Sequence, residues 1–227
     1  LGAGQFVLRG IGGFGITPGV EPPVATVVDG VYLPFADGAD FSFNNIASVE
    51  VDKGPQGTLF GRNAVGCVIN VTTKEPSHTP HIDASIGYGN YNTTIGNFYG
   101  TTGITDTLAA DLAIYAENQA DGWGTDLYDA RPVHYGREWS GRSKWLFTPD
   151  DATKFTFILD YDRSVPATVG NATTNGLNNG NISVPAAGTL HVGGFYDAYT
   201  SDPNGVDSRQ YGASFKADHD FGWADGV

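Results

Sequence analysis

The sequence predicts a mainly β protein in two parts, a small mixed α/β domain followed by an antiparallel sheet of long strands. Glycine accounts for 32 of 227 residues, roughly twice its usual share of about 7%. Aromatic residues reach 12% while charged residues are only 16%, below the roughly 25% of ordinary soluble domains. In the second part, apolar and polar residues alternate with a period of two, which indicates strands with one apolar and one polar face.

The first part consists of short strand-like segments separated by glycine and proline turns. "QFVLRG", "ATVVDGVYL" and "SVEV" are the clearest of these segments, and a weak helix is predicted around Phe41–Ala47. The pattern changes at "PSHTP", residues 76–80. We therefore expect one domain over residues 1–78 and a second over residues 79–227.

The second part is expected to contain six strands. Three have clear alternation, at Thr107–Glu117, Lys154–Asp162 and Arg209–Phe221. Three have weaker alternation, at Ile82–Asn90, Thr94–Gly103 and Glu138–Phe147.

The connections between these strands alternate in length. Tight turns are predicted at Ile104–Asp106 and Thr148–Thr153, whereas Asn118–Arg137 and Ser164–Ser208 are long loops. Short turns at one edge and long loops at the other are typical of outer-membrane barrels, whose strands need about 9–11 residues to cross a bilayer. A soluble sandwich gives the same alternation. The apolar face would meet lipid in the barrel and form the core in the sandwich.

Charge and cysteine content exclude several classes of protein. The chain has 12 basic and 25 acidic residues and a net charge of −13, which disfavours a nucleic-acid partner because phosphate would be repelled. Cys67 is the one cysteine, so no internal disulfide can form, and we expect it to be a half-buried structural residue. No apolar run is long enough for a membrane-spanning helix.

No pattern of residues predicts an enzyme, a cofactor or a metal site. "GIGGFG", Gly10–Gly15, has dinucleotide-binding spacing, but the prolines that follow exclude the required helix. His78 and His81 lie in a proline-bounded linker without a third ligand nearby. Asp160 and Asp162 share the polar face of one strand, with no matched acid–base environment.

The stretch "VEVDKGPQGTLFGRNAVGCVINVTTKEP", residues 49–76, resembles the plug-domain signature of TonB-dependent outer-membrane receptors. "FVLRGIG" and "VVDGVYLP" resemble earlier plug strands of the same family. Cys67 stands where the family usually has glycine, and Asp52 stands where an apolar residue is common. The signature residues expected from the resemblance are Arg9, Gly10, Glu50, Gly54, Pro55, Gly57, Gly61, Arg62, Gly66 and Asn70.

The resemblance implies a barrel of about 22 strands that is occluded by a plug. This chain would hold the plug, without its N-terminus and TonB box, and the first six barrel strands. The implied location is the outer membrane of a Gram-negative bacterium. The implied activity is TonB-energised uptake of a scarce nutrient, a ferric siderophore in the first instance, with cobalamin, haem or an oligosaccharide as alternatives. TonB, outer-membrane lipid and the small-molecule ligand are the implied partners.

The resemblance also suggests where the functional residues lie. Arg9 and Arg62 match plug arginines that pair with barrel glutamates in this family, and ordinary surface arginines are the alternative. Ligand contacts are expected in the plug tips "GFGITPGVEPP" and "LPFADGADF", and then in the two long loops. A passive porin-like channel and a secreted glycan-binding β-domain are the rival interpretations.

Overall fold

The computed structural model describes residues 24–33, 45–57, 66–167, 196–197, 207–223 and 225–226. Every element within those residues is a strand. The strands are β1 (Val24–Val28), β2 (Val31–Leu33), β3 (Ile46–Lys53), β4 (Cys67–Thr73), β5 (His81–Gly89), β6 (Thr93–Thr105), β7 (Leu108–Gln119), β8 (Gly124–Thr125), β9 (Pro132–Val133), β10 (Tyr135–Asp150), β11 (Thr153–Ala167), β12 (Ser208–Asp220) and β13 (Asp225–Gly226). The described part of the chain contains no helix of the length and apolar character needed to span a membrane.

The first four strands form a small mixed sheet in the order β2-β1-β4-β3. β1 is parallel to β4, while β2 and β3 pair antiparallel with their neighbours. Val24 and Ile69 belong to one apolar cluster of this sheet, and Val27 and Val68 belong to a second cluster. β1 is buried along its whole length, which explains why its sequence is a continuous apolar run rather than an alternating one.

Two expectations for this small sheet need correction. The helix predicted around Phe41–Ala47 is wrong at its end, because Ile46 and Ala47 belong to β3 and the strand pairs with β4 from Ile46 onward. The rest of that segment, up to residue 44, lies outside the described residues. Cys67 is fully buried, with 1% of its surface exposed, rather than half-buried. Its position at the start of the central strand β4 accounts for this burial.

The remaining long strands form a seven-stranded sheet in the order β13-β12-β11-β10-β7-β6-β5. Each strand pairs antiparallel with the next. All six strands predicted from the sequence are present, and β10 and β11 are the longest, at 16 and 15 residues. The antiparallel barrel-type sheet expected from the alternation is therefore confirmed as the main element of the fold.

The connections of the large sheet follow the predicted alternation except at its first hairpin. Residues 106–107 and 151–152 form tight turns at one edge, and residues 120–134 join β7 to β10 at the other. The β5–β6 connection lies at this second edge and is also tight, with φ of 58° at Tyr91 and 52° at Asn92. The second edge therefore combines one short turn with long loops.

The two faces of β10 differ sharply. Its inner row, which faces the small sheet, is buried and polar, with Glu138, Ser140, Arg142 and Lys144 at 2–7% exposure. Its outer row, on the opposite face, contains the exposed aromatic residues Trp139, Trp145 and Phe147. Exposed apolar side chains continue on the outer face of the neighbouring strands at Leu112, Ile114, Phe157, Leu159, Tyr211 and Phe215. A polar inner face and an apolar outer face are typical of a strand that crosses an outer membrane.

Candidate functional site

The two sheets meet at the turn of the β1–β2 hairpin. Val28 pairs with Val31, so only Asp29 and Gly30 form the turn, with φ of 48° and 84°. Left-handed backbone at both positions is the type I′ turn, for which Asp-Gly is a preferred sequence. The backbone N–H of Asp29 donates to the carbonyl oxygen of Val71 at 2.9 Å. The turn is therefore fixed against β4, and the Asp29 side chain has a defined position.

The Asp29 carboxylate accepts bonds from both sheets. Within the small sheet, the Thr73 N–H and hydroxyl donate to it at 2.9 and 2.7 Å. From β10, Arg142 Nη2 lies 2.6 Å from Oδ2 and Lys144 Nζ lies 3.3 Å from Oδ1. All three ionic side chains are at most 9% exposed. This ion cluster, Asp29 with Arg142 and Lys144, links the small sheet to the wall formed by the large one.

Further groups extend the ion cluster along the wall. Lys144 Nζ also donates to the Thr73 carbonyl at 3.4 Å, and its backbone N–H donates to Asp111 Oδ1 on β7 at 2.8 Å. Arg142 Nη1 lies 3.7 Å from Asp160 Oδ1 on β11. The two buried cations therefore have Asp29 of the small sheet and Asp160 of the wall as ion-pair partners, and Asp111 accepts a backbone bond beside them. Pairing of this kind is what allows a charge to remain buried.

The surroundings of Asp29 keep it ionised at neutral pH. Burial by itself raises the pKa of this carboxyl, because a charge loses solvation there. The hydrogen bonds from Thr73 and the charges of Lys144 and Arg142 act in the opposite direction and prevail, so the Asp29 pKa lies below its usual 3.8.

The linker between the sheets, residues 74–80, lies along the same wall. The Ser77 N–H donates to Thr101 Oγ1 at 2.8 Å, and Lys74 Nζ lies 4.9 Å from the centre of the Tyr99 ring. The Gly103 N–H donates to the His78 carbonyl at 3.3 Å. A Cβ at Gly103 would lie only 2.7 Å from His78 Nδ1, so glycine permits this close approach.

A cavity of about 760 Å³ lies beside the ion cluster, between the small sheet and the inner faces of β11 and β12. Its lining includes Asp29, Tyr32, Lys144, Lys154 and Lys216. Apolar side chains, among them Val27 and Ile158, line it as well.

The loop between β7 and β10 forms its own structure at the far edge of the sheet. The β8–β9 hairpin is closed by Arg131, which donates two bonds to the fully buried Asp126 at 3.2 and 3.0 Å. Trp123 stacks on Tyr196 with ring centres 5.0 Å apart and contacts His134 edge-on at 5.2 Å. Trp123 and His134 of this loop therefore form an aromatic cluster with Tyr196 of the second long loop, and ligand contacts are expected in both loops.

The structure places four signature residues close together on the small sheet. Glu50 on β3 pairs with Asn70 on β4. Gly54 follows β3 with φ of 99°, and its N–H donates to the Gly66 carbonyl at 3.1 Å. Left-handed backbone at Gly54 explains why glycine is needed there. These residues lie along the β3–β4 pairing of the sheet.

Pro55 and Gly57 follow Gly54 directly along the chain. The other signature residues, Arg9, Gly10, Gly61 and Arg62, lie outside the described residues, so the pairing expected for the two arginines stays a prediction. The tip "GFGITPGVEPP", the tip "LPFADGADF" after its first residue and most of the second long loop also lie outside them. Among the residues that the structure does describe, no group of three or more His, Cys, Asp or Glu side chains could hold a metal ion.

Sequence analysis missed the ion cluster. Asp29 and Arg142 are 113 residues apart, and no local pattern links them. The available signal was the pair of cations in "GRSKW", two residues apart on the polar face of a predicted strand. A polar face that carries cations needs counter-charges once it is buried.

Comparison with known proteins agrees with this architecture. Residues 1–68 match the family model described as the TonB-dependent Receptor Plug Domain. The pesticin receptor of Yersinia pestis is 41% identical over 60 residues, which is 26% of this chain and 9% of that receptor.

Solved structures match both sheets at once. The ferric yersiniabactin uptake receptor FyuA from Yersinia pestis matches with a TM-score of 0.71 at 20% identity, over 88% of this chain and 30% of that one; at this identity the match shows the fold. The closed form of the ferric-catecholate import receptor Fiu from E. coli K12 matches with a TM-score of 0.68 at 27% identity, over 86% of this chain and 27% of that one. The present chain therefore spans less than a third of these receptors.

The small sheet, the large sheet and the contact between them define a plugged barrel protein of the Gram-negative outer membrane. Residues 1–68 carry the plug domain of the TonB-dependent receptors, and the two sheets together have the fold of the FyuA and Fiu receptors. The small sheet is hereafter called the plug sheet, and the large sheet is called the barrel wall.

Proposed function

We propose that the receptor containing this chain imports a scarce nutrient across the outer membrane, with energy supplied by TonB. The observation that carries the proposal is the match to Fiu, which extends over 86% of the chain at 27% identity. A plug sheet fixed to a barrel wall by a buried ion cluster suits a receptor that stays closed until it is energised. In this mechanism TonB displaces the plug after ligand has bound on the side of the long loops.

For the ligand we propose a ferric siderophore. FyuA and Fiu are described as a ferric yersiniabactin receptor and a ferric-catecholate receptor. The aromatic cluster of Trp123, His134 and Tyr196 lies in the loop region, and Tyr128 nearby is 57% exposed. Aromatic side chains there suit a ligand with planar groups. Cobalamin, haem and oligosaccharides are the alternatives that the uptake experiment distinguishes.

A passive channel and an enzyme fit the molecule less well. A passive channel has no need for a plug tied to its wall by the buried Asp29, Arg142 and Lys144 side chains. The family and the similar structures are transport receptors. We therefore propose a transporter without catalytic activity.

We also propose the domain division at residues 78 and 79. The last plug strand ends at Thr73 and the first wall strand begins at His81. The strand pairings described on either side stay within one sheet, which supports a boundary in the linker.

Arg9 and Arg62 remain proposed plug–barrel contacts. They need buried carboxylates on the wall, and Glu138 on the inner row of β10 is 5% exposed. A Glu138→Gln variant of the full receptor should loosen the plug as much as the Arg9→Ala/Arg62→Ala double variant if the pairing exists. Unchanged plug stability in the double variant would contradict it.

The test of the proposed function is uptake by cells that express the full receptor in place of their own siderophore receptors. Radiolabelled ferric catecholate, ferric yersiniabactin, cobalamin, haem and an oligosaccharide are supplied separately, with and without functional TonB. We expect TonB-dependent accumulation of one ferric chelate. Equal accumulation without TonB indicates a passive channel, and uptake of cobalamin alone overturns the siderophore assignment.

A further inference from the structure

Three arginines lie on the outer face of the barrel wall, on three neighbouring strands. They are Arg137 on β10, Arg163 on β11 and Arg209 on β12. In the strand register, Arg163 is opposite both Trp139 and Arg209. Directly paired residues project from the same face of a sheet, and Trp139 is on the outer row. The arginines therefore point away from the plug.

The arginines lie at the long-loop end of their strands, just beyond a set of exposed aromatic residues. Trp139 and Tyr161 stack with ring centres 4.5 Å apart, and Tyr211, the next residue along this row, is 83% exposed. In outer-membrane barrels, aromatic residues on the outer face mark the boundary between the hydrocarbon and the lipid headgroups. The three arginines are therefore at the depth of the headgroups.

Two of the guanidinium groups converge on one anion. Arg163 donates to Asp207 Oδ1 and Oδ2 at 3.0 and 2.8 Å. Arg209 donates to the same two oxygens at 3.3 and 2.9 Å. Side chains from two strands thus form a preorganised fork around a carboxylate. Planar bidentate donation of this kind suits phosphate as well as carboxylate.

The charge of the site differs from that of the chain. The whole chain has a net charge of −13, but three arginines and Asp207 leave a local charge of +2. Arg137 is exposed, and the side chain of Arg209 is 58% exposed. A concentrated positive charge on an otherwise acidic protein favours an anionic partner.

We propose that Arg137, Arg163 and Arg209 form a binding site for the phosphate of a lipid headgroup in the outer leaflet. The outward direction and headgroup depth of the site favour a membrane lipid over a solute from the medium. The hydrocarbon chains of such a lipid would lie against Tyr161, Tyr211 and Phe215 on the outer face below. This proposal depends on membrane embedding and does not depend on which nutrient is imported.

The test is lipid binding by the full receptor reconstituted in phosphatidylcholine vesicles that contain a small fraction of phosphatidic acid. Enrichment of phosphatidic acid around the receptor is measured with a labelled lipid. Each basic side chain near an anionic surface contributes about fivefold in binding. The Arg137→Gln/Arg163→Gln/Arg209→Gln variant should therefore lose most of the enrichment. Lys216→Gln is the matched control, because it removes a cation from the inner face of β12.

A second variant tests the site without removing its donors. Asp207→Asn frees both guanidinium groups and raises the local charge, so enrichment of phosphatidic acid should increase several-fold. Unchanged enrichment in both the triple variant and Asp207→Asn would overturn the proposal. Inorganic phosphate at matched concentration should not displace the lipid, and complete displacement would instead identify a site for free phosphate. The lipid-binding assay does not measure nutrient uptake, so its result does not depend on the proposed transport function.

Discussion

The interior of the plug sheet and its contact with the barrel wall are built from opposite kinds of side chain. Val24, Val27 and Val68 fill the interior and are at most 5% exposed. Among the residues that the structure describes, the buried contact with the wall is made by Asp29 and Thr73, whose partners there are charged. Apolar burial holds the plug sheet together as a unit, whereas charge pairing and hydrogen bonds hold it in place. The plug can therefore leave the wall without losing its own core.

The ionic nature of the contact also makes it selective for one arrangement. Removing one member of a buried ion pair leaves the other as an uncompensated buried charge, which costs about 3–5 kcal/mol. If the whole contact separates, water can instead solvate both sides. The ion cluster thus penalises a shifted plug more strongly than a fully displaced one.

The largest loss of stability is expected when a charged side chain is placed in the apolar interior of the plug sheet. Val68→Asp places an unpaired carboxylate in a fully buried position, which should destabilise the plug sheet by roughly 5 kcal/mol. Hydrogen exchange in the full receptor should then show loss of protection in β1 and β4, while the wall strands stay protected. Val51→Asp is the matched control, because Val51 is 45% exposed. Equal protection in the Val68 and Val51 variants would contradict an independent apolar core.

A smaller effect is expected when the contact alone is weakened. Asp29→Asn keeps the side-chain size and the tolerance for left-handed backbone, but it leaves Arg142 and Lys144 without this counter-charge. The plug–wall contact should weaken by about 3 kcal/mol. Limited proteolysis of the reconstituted receptor should cut the plug faster, while hydrogen exchange within β1 and β4 stays slow.

Glu75→Gln is the control for the Asp29 variant. Glu75 pairs with Lys154 on the wall, but its side chain is 63% exposed. Exposed ion pairs contribute at most about 1 kcal/mol, so proteolysis should change little. If Glu75→Gln accelerates cleavage as much as Asp29→Asn, burial of the ion cluster is not what secures the plug.

The sequence predicts the repetitive part of this molecule better than the contact between its parts. Strands such as β7 and β12 follow from the alternation of neighbouring residues, because one face of each is apolar. The type I′ turn at Asp29 and Gly30 is likewise encoded by two adjacent residues. Local pattern and local geometry coincide in these segments.

The helix predicted around Phe41–Ala47 and the partners of Asp29 show where local pattern is insufficient. Ile46 and Ala47 are strand residues because β4 lies beside them, and that pairing overrides a weak local preference. Arg142 and Lys144 are the partners of Asp29 because of the position that the plug sheet takes along the wall strands. The position of the plug along the wall strands cannot be predicted from any short stretch of sequence. The two cations on the inner row of β10 indicate only that carboxylates must lie near them.

The smallest expected effect is a weakening of the plug–wall contact at acid pH, which the apolar interior of the plug sheet should not show. The Asp29 pKa is lower in the folded protein than its usual 3.8, so the ionised carboxylate stabilises the contact. That stabilisation is complete above the unfolded value and is lost as pH falls through the lower folded value. Plug cleavage by an acid-active protease should therefore accelerate below about pH 4. In Asp29→Asn this acid-dependent step should be absent, because the variant has already lost the charge. If both proteins show the same acid-dependent acceleration, other carboxylates cause it. The apolar interior around Val68 contains no titrating group, so the plug sheet itself should stay folded at this pH.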